Sequence, residues 1–139
     1  PFLVASSIQA IMAQRLIRML CPKCAKPDEN PDSKLLNLVN ISPEDVAAGN
    51  IRQAHGCPNC SGTGYRGRKA IFELMRMNAE VRELAFERAQ ISKIRESAIR
   101  GGMRSLLEDG KVKILRGDTP PDEVARFAQI EGFNPNEIS

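Results

Sequence analysis

Two Cys-Pro-x-Cys knuckles, Cys21-Pro22-Lys23-Cys24 and Cys57-Pro58-Asn59-Cys60, hold every cysteine of the chain. A Cys-x-x-Cys pair presents two thiolates from one tight turn, close enough to share a metal. Two such pairs supply the four soft, tetrahedral ligands of a structural zinc ion. Proline after the first cysteine of each pair fixes φ and pre-forms the turn, which lowers the entropy cost of organising the site. The spacing therefore assigns Cys21, Cys24, Cys57 and Cys60 as metal ligands, with Zn2+ as a structural cofactor. A thioredoxin-type dithiol would need a single Cys-x-x-Cys at a helix start after a strand. A disulfide within either pair would close only a tiny loop and contribute little stability. Four protein ligands leave no open coordination position. The centre is thus expected to organise the chain from Cys21 to about Met75 rather than to perform chemistry.

Other residue types near the knuckles carry weaker signals. His55, the one histidine, stands two residues before Cys57 and could substitute as a ligand; with four cysteines at hand, a surface or outer position is expected. Gly62, Gly64 and Gly67 mark tight turns where the backbone passes close to something, most simply the metal loop. The segment lacks the G-x-x-x-x-G-K-S/T pattern and follows a knuckle rather than a buried strand, so a phosphate cradle is not expected there. Arg15, Arg18, Arg66, Arg68 and Lys69 crowd the knuckles in sequence. Four thiolates around Zn2+ leave a net charge of about −2, which nearby cations offset. The bland reading of these cations is charge balance on a solvated face; the sharper one is contact with a nucleotide or a neighbouring subunit. No Ser-His-Asp, Cys-His or paired-carboxylate constellation stands out, so no catalytic residue is assigned.

The elements that must position the knuckles can be read from periodicity and breakers. Ile8, Ile11, Met12, Leu16, Met19 and Leu20 recur at helical spacing, which predicts an amphipathic helix from Ser6 to Leu20 that Cys21-Pro22 ends. Asp28 to Asp32, with Pro27 and Pro31, reads as a loop. The stretch between Cys24 and Cys57 is longer than in compact zinc ribbons and must carry structure of its own. Ser42-Pro43-Glu44-Asp45 gives an N-cap, a proline in the first turn and acids beside it, predicting a short helix that stops at Gly49-Asn50. Ala70 to Met75 reads as a strand. Asn78 and Ser92 are predicted to cap two helices, the second closed by Gly101-Gly102. A third helix is expected from about Met103 to Arg116 with Asp109-Gly110 as its weak point, and a fourth from Thr119-Pro120-Pro121-Asp122 with Val124 and Phe127 inward. The tail after Gly132 looks frayed.

Composition sets outer bounds. The 139 residues make one ordinary domain or part of a larger one, and the start at Pro1, without an initiator methionine, suggests a piece of a longer protein. With 20 basic and 17 acidic residues the net charge is +3, too balanced to argue for nucleic acid, and the lack of tryptophan leaves few stacking platforms. The apolar runs are too short to span a bilayer and no signal-peptide pattern is present. Reduced, metal-bound cysteines fit a cytosolic setting.

Three stretches carry a family resemblance: Ala13-Gln14-Arg15-Leu16-Ile17-Arg18 leading to Leu20-Cys21-Pro22-Lys23-Cys24; Gly56-Cys57-Pro58-Asn59-Cys60 with Thr63-Gly64-Tyr65-Arg66-Gly67-Arg68 and Ile71-Phe72-Glu73; and Gly102-Met103-Arg104-Ser105-Leu106 followed by Asp109-Gly110, Lys113, Gly117, Thr119 and Glu123-Val124. In this order they cover nearly the whole chain, which resembles the secretion ATPases of the type II secretion and type IV pilus assembly systems. Ala70 departs from the pattern, standing where the family commonly has glycine; its methyl is expected to tighten the turn without touching the metal ligands.

The resemblance implies an α/β parent with a RecA-like ATPase core, of which this chain is a mainly α-helical part with a small β element and a tetracysteine zinc-binding insert. Residues 1–20 would end the RecA-like core, residues 21–76 would form the zinc subdomain and following strand, and residues 77–139 the closing helical subdomain. The implied parent is a hexameric, cytoplasmic ATPase, peripheral to the inner membrane. It would bind ATP and Mg2+, power pilus or pseudopilus assembly, and meet inner-membrane secretion or pilus platform proteins, with neither nucleic acid nor membrane insertion involved. The family's Walker A, Asp box, Walker B and His box motifs all precede Pro1, so none is carried onto residues here, and the piece alone is expected not to hydrolyse ATP. A second reading comes from Cys57-Pro58-Asn59-Cys60-Ser61-Gly62-Thr63-Gly64, which also fits the C-x-x-C-x-G-x-G unit of Hsp40-type chaperones, although the first knuckle continues Ala25-Lys26-Pro27 without glycines. A zinc-ribbon nucleic-acid binder is a third, weakened by the modest net charge.

Overall fold

The computed structural model describes residues 2–130. Their elements run α1 (Phe2–Ser7), β1 (Ala10–Leu20), β2 (Lys26–Pro27), α2 (Ser33–Leu38), α3 (Pro43–Ala48), β3 (Arg52–Gln53), a 3-10 turn (Pro58–Cys60), β4 (Tyr65–Arg76), α4 (Ala79–Phe86), α5 (Ile91–Arg100), α6 (Leu106–Leu115) and α7 (Pro121–Ile130). Two small sheets are present among the described residues, one of β1 with β4 and one of β2 with β3. The chain is thus a mixture of helix and small sheet. The expected tail beyond Gly132 lies outside the described residues.

The largest correction concerns β1. Residues 10–20 form an eleven-residue strand, not the expected helix, and helix is confined to Phe2–Ser7 before it. Apolar side chains on both faces of the strand explain the misreading: Ile17 is fully buried, while Ile11, Met12 and Leu16 on this short run are exposed. Such a run satisfies helical spacing by accident, and pairing with β4 overrides it. β4 extends the expected Ala70–Met75 strand back to Tyr65. Ala70 consequently lies inside a strand, half-buried, beyond the glycine turns it was expected to tighten.

Among the described residues two compact units interleave along the sequence, one of residues 2–14 and 72–106 and one of residues 15–71 and 107–130. In the first, α1 packs on α4 and α4 on α5. Phe2 meets Phe86 edge to face with ring centroids 5.5 Å apart, and the Arg82 guanidinium donates to the carbonyls of Ala5, Ile8 and Met77. Asn78 caps α4 as expected, its side chain accepting the Val81 N–H at 2.8 Å. The cap of α5 is Gln90 rather than Ser92, without a side-chain bond.

The second unit holds the knuckles and a hydrophobic cluster of Val39, Ile41, Ile51, Leu107, Ile114, Val124, Ala125 and Ala128. The insert between the knuckles does carry structure. Its helix α3 is set by a capping box, Ser42 Oγ accepting the Asp45 N–H at 3.1 Å and Asp45 Oδ2 accepting the Ser42 N–H at 3.0 Å. Helix α2, not anticipated, is capped by Asp32 and packs on α7. The antiparallel pairing Lys26↔Gln53 and Pro27↔Arg52 closes the insert and brings its two ends, and hence the two knuckles, back together. Gly110 is no weak point of α6: a Cβ there would sit 2.5 Å from Val124 Cγ1, so the missing side chain is what lets α7 pack close.

Candidate metal centre

Each knuckle is a tight turn by hydrogen bonding. In the first, the Ala25 N–H donates to the Cys21 carbonyl at 3.0 Å; in the second, the Gly62 N–H donates to the Cys57 carbonyl at 2.9 Å. Pro58 opens the 3-10 turn that carries Cys60 back toward Cys57, as its fixed φ allows. The glycine-rich stretch that follows does approach the centre, at Gly64. Its N–H donates to Cys60 Sγ at 3.2 Å, and its carbonyl accepts the Cys21 N–H at 2.9 Å. A side chain is excluded there, because φ is +82° and a Cβ would lie 2.7 Å from the Ala54 Cβ.

The structure brings all four predicted ligands together. The Sγ atoms of Cys21, Cys24, Cys57 and Cys60 lie within 4.8 Å of one another. The pairs Cys21–Cys57, Cys24–Cys60 and Cys57–Cys60 are each separated by 3.8 Å. A tetrahedral metal about 2.3 Å from each sulfur requires sulfur–sulfur edges of about 3.8 Å, the spacing of these three pairs. A disulfide would need about 2.05 Å, so the four thiols are free and do not form the alternative of two disulfides. An all-sulfur tetrahedral donor set suits zinc, or iron, and has no place for a harder cation such as magnesium. Cys21 and Cys60 are buried, Cys24 and Cys57 half-buried.

Backbone and amide donors point at the sulfurs, as thiolate ligands require. Cys24 Sγ accepts from the Gly56 N–H at 3.3 Å, and Cys60 Sγ accepts from the Cys57 N–H at 3.3 Å as well as from Gly64. Burial pushes the Cys60 thiol up, but those two N–H groups and the neighbouring thiols outweigh it and bring it down to about 6. Burial dominates at Cys24, pushing its thiol up to about 11. The Asn59 side-chain amide, against the opposing effect of burial, holds the Cys21 thiol below its ordinary value. The free cluster therefore retains protons that a bound cation must displace. Asn59 is a contributor that the sequence reading passed over; a polar residue at the variable position of the second knuckle was the available signal.

His55 is exposed and outside the ligand cluster. The basic residues divide by role. Arg66 donates to the Asn59 carbonyl at 2.7 Å and to Asn59 Oδ1 at 2.8 Å. Arg18 turns away toward α7, where Nε and Nη2 donate to Glu123 Oε1 at 2.9 and 2.6 Å, and its guanidinium stacks 4.0 Å over the Tyr65 ring. Glu123, 1% exposed, also accepts from the Arg18 N–H and from Arg126. Burial alone would push its carboxyl up; the Arg18 bonds and the Arg126 charge hold it below its ordinary value. Arg68 lines a cleft with Leu16, Arg18, Glu123, Arg126 and Phe127. No helix among the described residues is long and apolar enough to cross a membrane.

Comparison with known proteins bears on the same residues. A family model described as "Type II/IV secretion system protein" matches residues 1–126, which include both knuckles. The chain is 40% identical over 124 residues, 89% of its length, to the type IV pilus assembly ATPase PilB of Myxococcus xanthus, and covers 22% of that protein. It is 34% identical over 131 residues, 94% of its length, to type II secretion system protein E of Pseudomonas aeruginosa, and 38% identical over 130 residues, 93% of its length, to protein E of Aeromonas hydrophila. It covers 25% of each of these two relatives, so it spans about a quarter of their length or less. With the match extending over all but the last residues, the chain belongs to the type II/IV secretion system protein family.

Proposed function

We propose that this chain is the C-terminal, zinc-holding portion of a hexameric ATPase that powers assembly of a type II secretion pseudopilus or a type IV pilus. The observation that carries the reading is the family match through both knuckles and the helices beyond them, joined to relatives named as pilus assembly ATPases. Family membership argues against the chaperone and zinc-ribbon alternatives. In this reading residues 1–20 end a RecA-like core, residues 21–76 form the metal subdomain with its following strand, and residues 77–139 close the domain. The parent works in the cytoplasm at the inner membrane, against platform proteins embedded there.

Cys21, Cys24, Cys57 and Cys60 would hold one Zn2+, and four protein ligands leave no position for water or substrate. The metal would supply fixed geometry, not Lewis-acid chemistry. ATP and Mg2+ fall to motifs in the preceding part of the parent, since phosphoryl transfer needs a phosphate cradle, a magnesium site and a positioned water. The test compares the parent with residues 1–139 alone. The parent should assemble as a ring and hydrolyse ATP, and the isolated chain should bind zinc without turnover. ATP hydrolysis by the isolated chain, abolished by a substitution within it, would overturn this division of labour.

A further inference from the structure

We infer that Asn59 and Arg66 form an outer clamp on the Cys21 thiolate, through which the second knuckle sets how slowly the metal leaves the first. The inference rests on the reading of the four cysteines as a zinc centre. Asn59 belongs to the second knuckle, yet its Nδ2 donates at 3.5 Å to Cys21 Sγ in the first. An asparagine amide has one end that donates and one that only accepts, and a thiolate gains only from the donating end. What fixes the amide is Arg66, a residue with donors alone, placed 2.8 Å from Asn59 Oδ1 and 2.7 Å from the Asn59 carbonyl. With the oxygen end engaged by Arg66, the nitrogen end must face the sulfur. Removal of the guanidinium leaves the sulfur alone to orient the amide, so the donating end is held less firmly toward the thiolate.

The contrast with the other sulfurs sharpens the point. Cys24 and Cys60 take donors from the backbone at Gly56, Cys57 and Gly64, which side-chain substitution cannot remove. At Cys21 the backbone N–H groups of Lys23 and Cys24 are joined by a side-chain donor, Asn59, itself oriented by a second, exposed side chain. The Arg66 charge also polarises the amide in the direction that draws electron density from a metal core of net negative charge. Outer residues that orient metal ligands typically govern affinity by about 10–100-fold.

The test uses the zinc-loaded chain, a chromogenic chelator to time metal release, and cobalt substitution to report the sulfur-to-metal charge-transfer band. Asn59→Asp keeps the shape and removes the donor; it should release zinc about 10–100-fold faster and shift the cobalt band to lower energy. Arg66→Ala, at an exposed position that leaves folding intact, should accelerate release by about 10-fold, and Arg66→Lys, which restores one donor to the Asn59 oxygens, should recover most of it. Arg68→Ala, the loss of a cation on the same strand with no bond to Asn59, should release zinc at the parent rate. Release at the parent rate by both Asn59→Asp and Arg66→Ala would overturn the clamp, as would acceleration by Arg68→Ala equal to that by Arg66→Ala. A parent chain that binds no zinc at all would instead remove the metal centre on which the clamp rests.

Discussion

Replacing Gly110 with alanine sets two opposed effects against each other at one position. Alanine in a helix interior is favoured over glycine by about 1 kcal/mol, and α6 would gain that much were the site open. It is closed: the new Cβ would lie 2.5 Å from Val124 Cγ1 and 3.0 Å from Cγ2, against an ordinary carbon–carbon contact of about 3.5–4.0 Å. Val124 is fully buried in α7, and a β-branched side chain in a helix has one strongly preferred rotamer, so it has no free direction in which to turn. Relief must come from moving α6 and α7 apart, at an overpacking cost of about 1–3 kcal/mol. We expect Gly110→Ala to lose about 1 kcal/mol net, the clash exceeding the propensity gain. Val124→Ala opens the space at a cost of about 2 kcal/mol; in that background Gly110→Ala fills part of the vacated volume and should stabilise by about 1 kcal/mol. The coupling energy of the double-mutant cycle is then about 2 kcal/mol, within the range for residues in contact. Urea unfolding of the four proteins, with slopes compared as well as midpoints, measures it. A Gly110→Ala chain that unfolds at higher urea than the parent, or an effect of the same sign and size in both backgrounds, would refute the packing argument.

Two further outcomes follow from the second unit. Elemental analysis of protein purified without added metal should give one zinc per chain, and Cys57→Ser should abolish retention; amide exchange should then quicken around residues 21–26 and 54–66 while α6 and α7, held by the hydrophobic cluster, keep their protection. At α3, the Ser42 N–H, the Lys111 ammonium and the Ser42 hydroxyl hold the Asp45 carboxyl down to about 2, from an ordinary value of 3.8. A carboxyl lowered in the folded state adds stability that is complete above its unfolded value and fades as pH falls through the folded one. Asp45→Asn should therefore flatten the acid limb of the stability profile between about pH 4 and pH 2, and an unchanged limb would count against the capping box as its source.

What the sequence made legible follows the range of the interaction. Caps and turns are local: Ser42, Asn78 and the Gly101 terminus act within a few residues, and each stands where its residue type predicts. The knuckles are local twice over, each a preformed turn, and the soft-ligand chemistry of four thiols joins them across the insert. β1 was illegible because its partner strand lies far along the chain, and apolar residues on both faces of a strand erase the alternation that would announce it. Gly110 was misread for a related reason. Its meaning lies in Val124, on another helix, and helix propensity alone marks any glycine as a fault. Asp32 before Ser33 offered a cap signal for α2, outweighed by the prolines around it.

The placement of the centre gives the metal a reach beyond its own loop. Cys21 follows directly on Leu20, the last residue of β1, and Gly64 directly precedes Tyr65, the first of β4. The Cys21 N–H to Gly64 carbonyl bond continues the pairing of those strands into the metal site, and Gly64 passes its own N–H to Cys60. The ends of both long strands are thus fixed by the same four sulfurs. Beside them the buried apolar side chains are few: Ile17, Leu20, Ala25 and Ile71 are covered, but the main cluster is drawn from the insert helices with α6 and α7. A loop-rich region with so little apolar surface to bury obtains from a closed metal site the rigidity that packing supplies elsewhere. Metal loss should therefore be felt along β1 and β4, at the amides of Ile17 and Ile71, before it reaches the hydrophobic cluster.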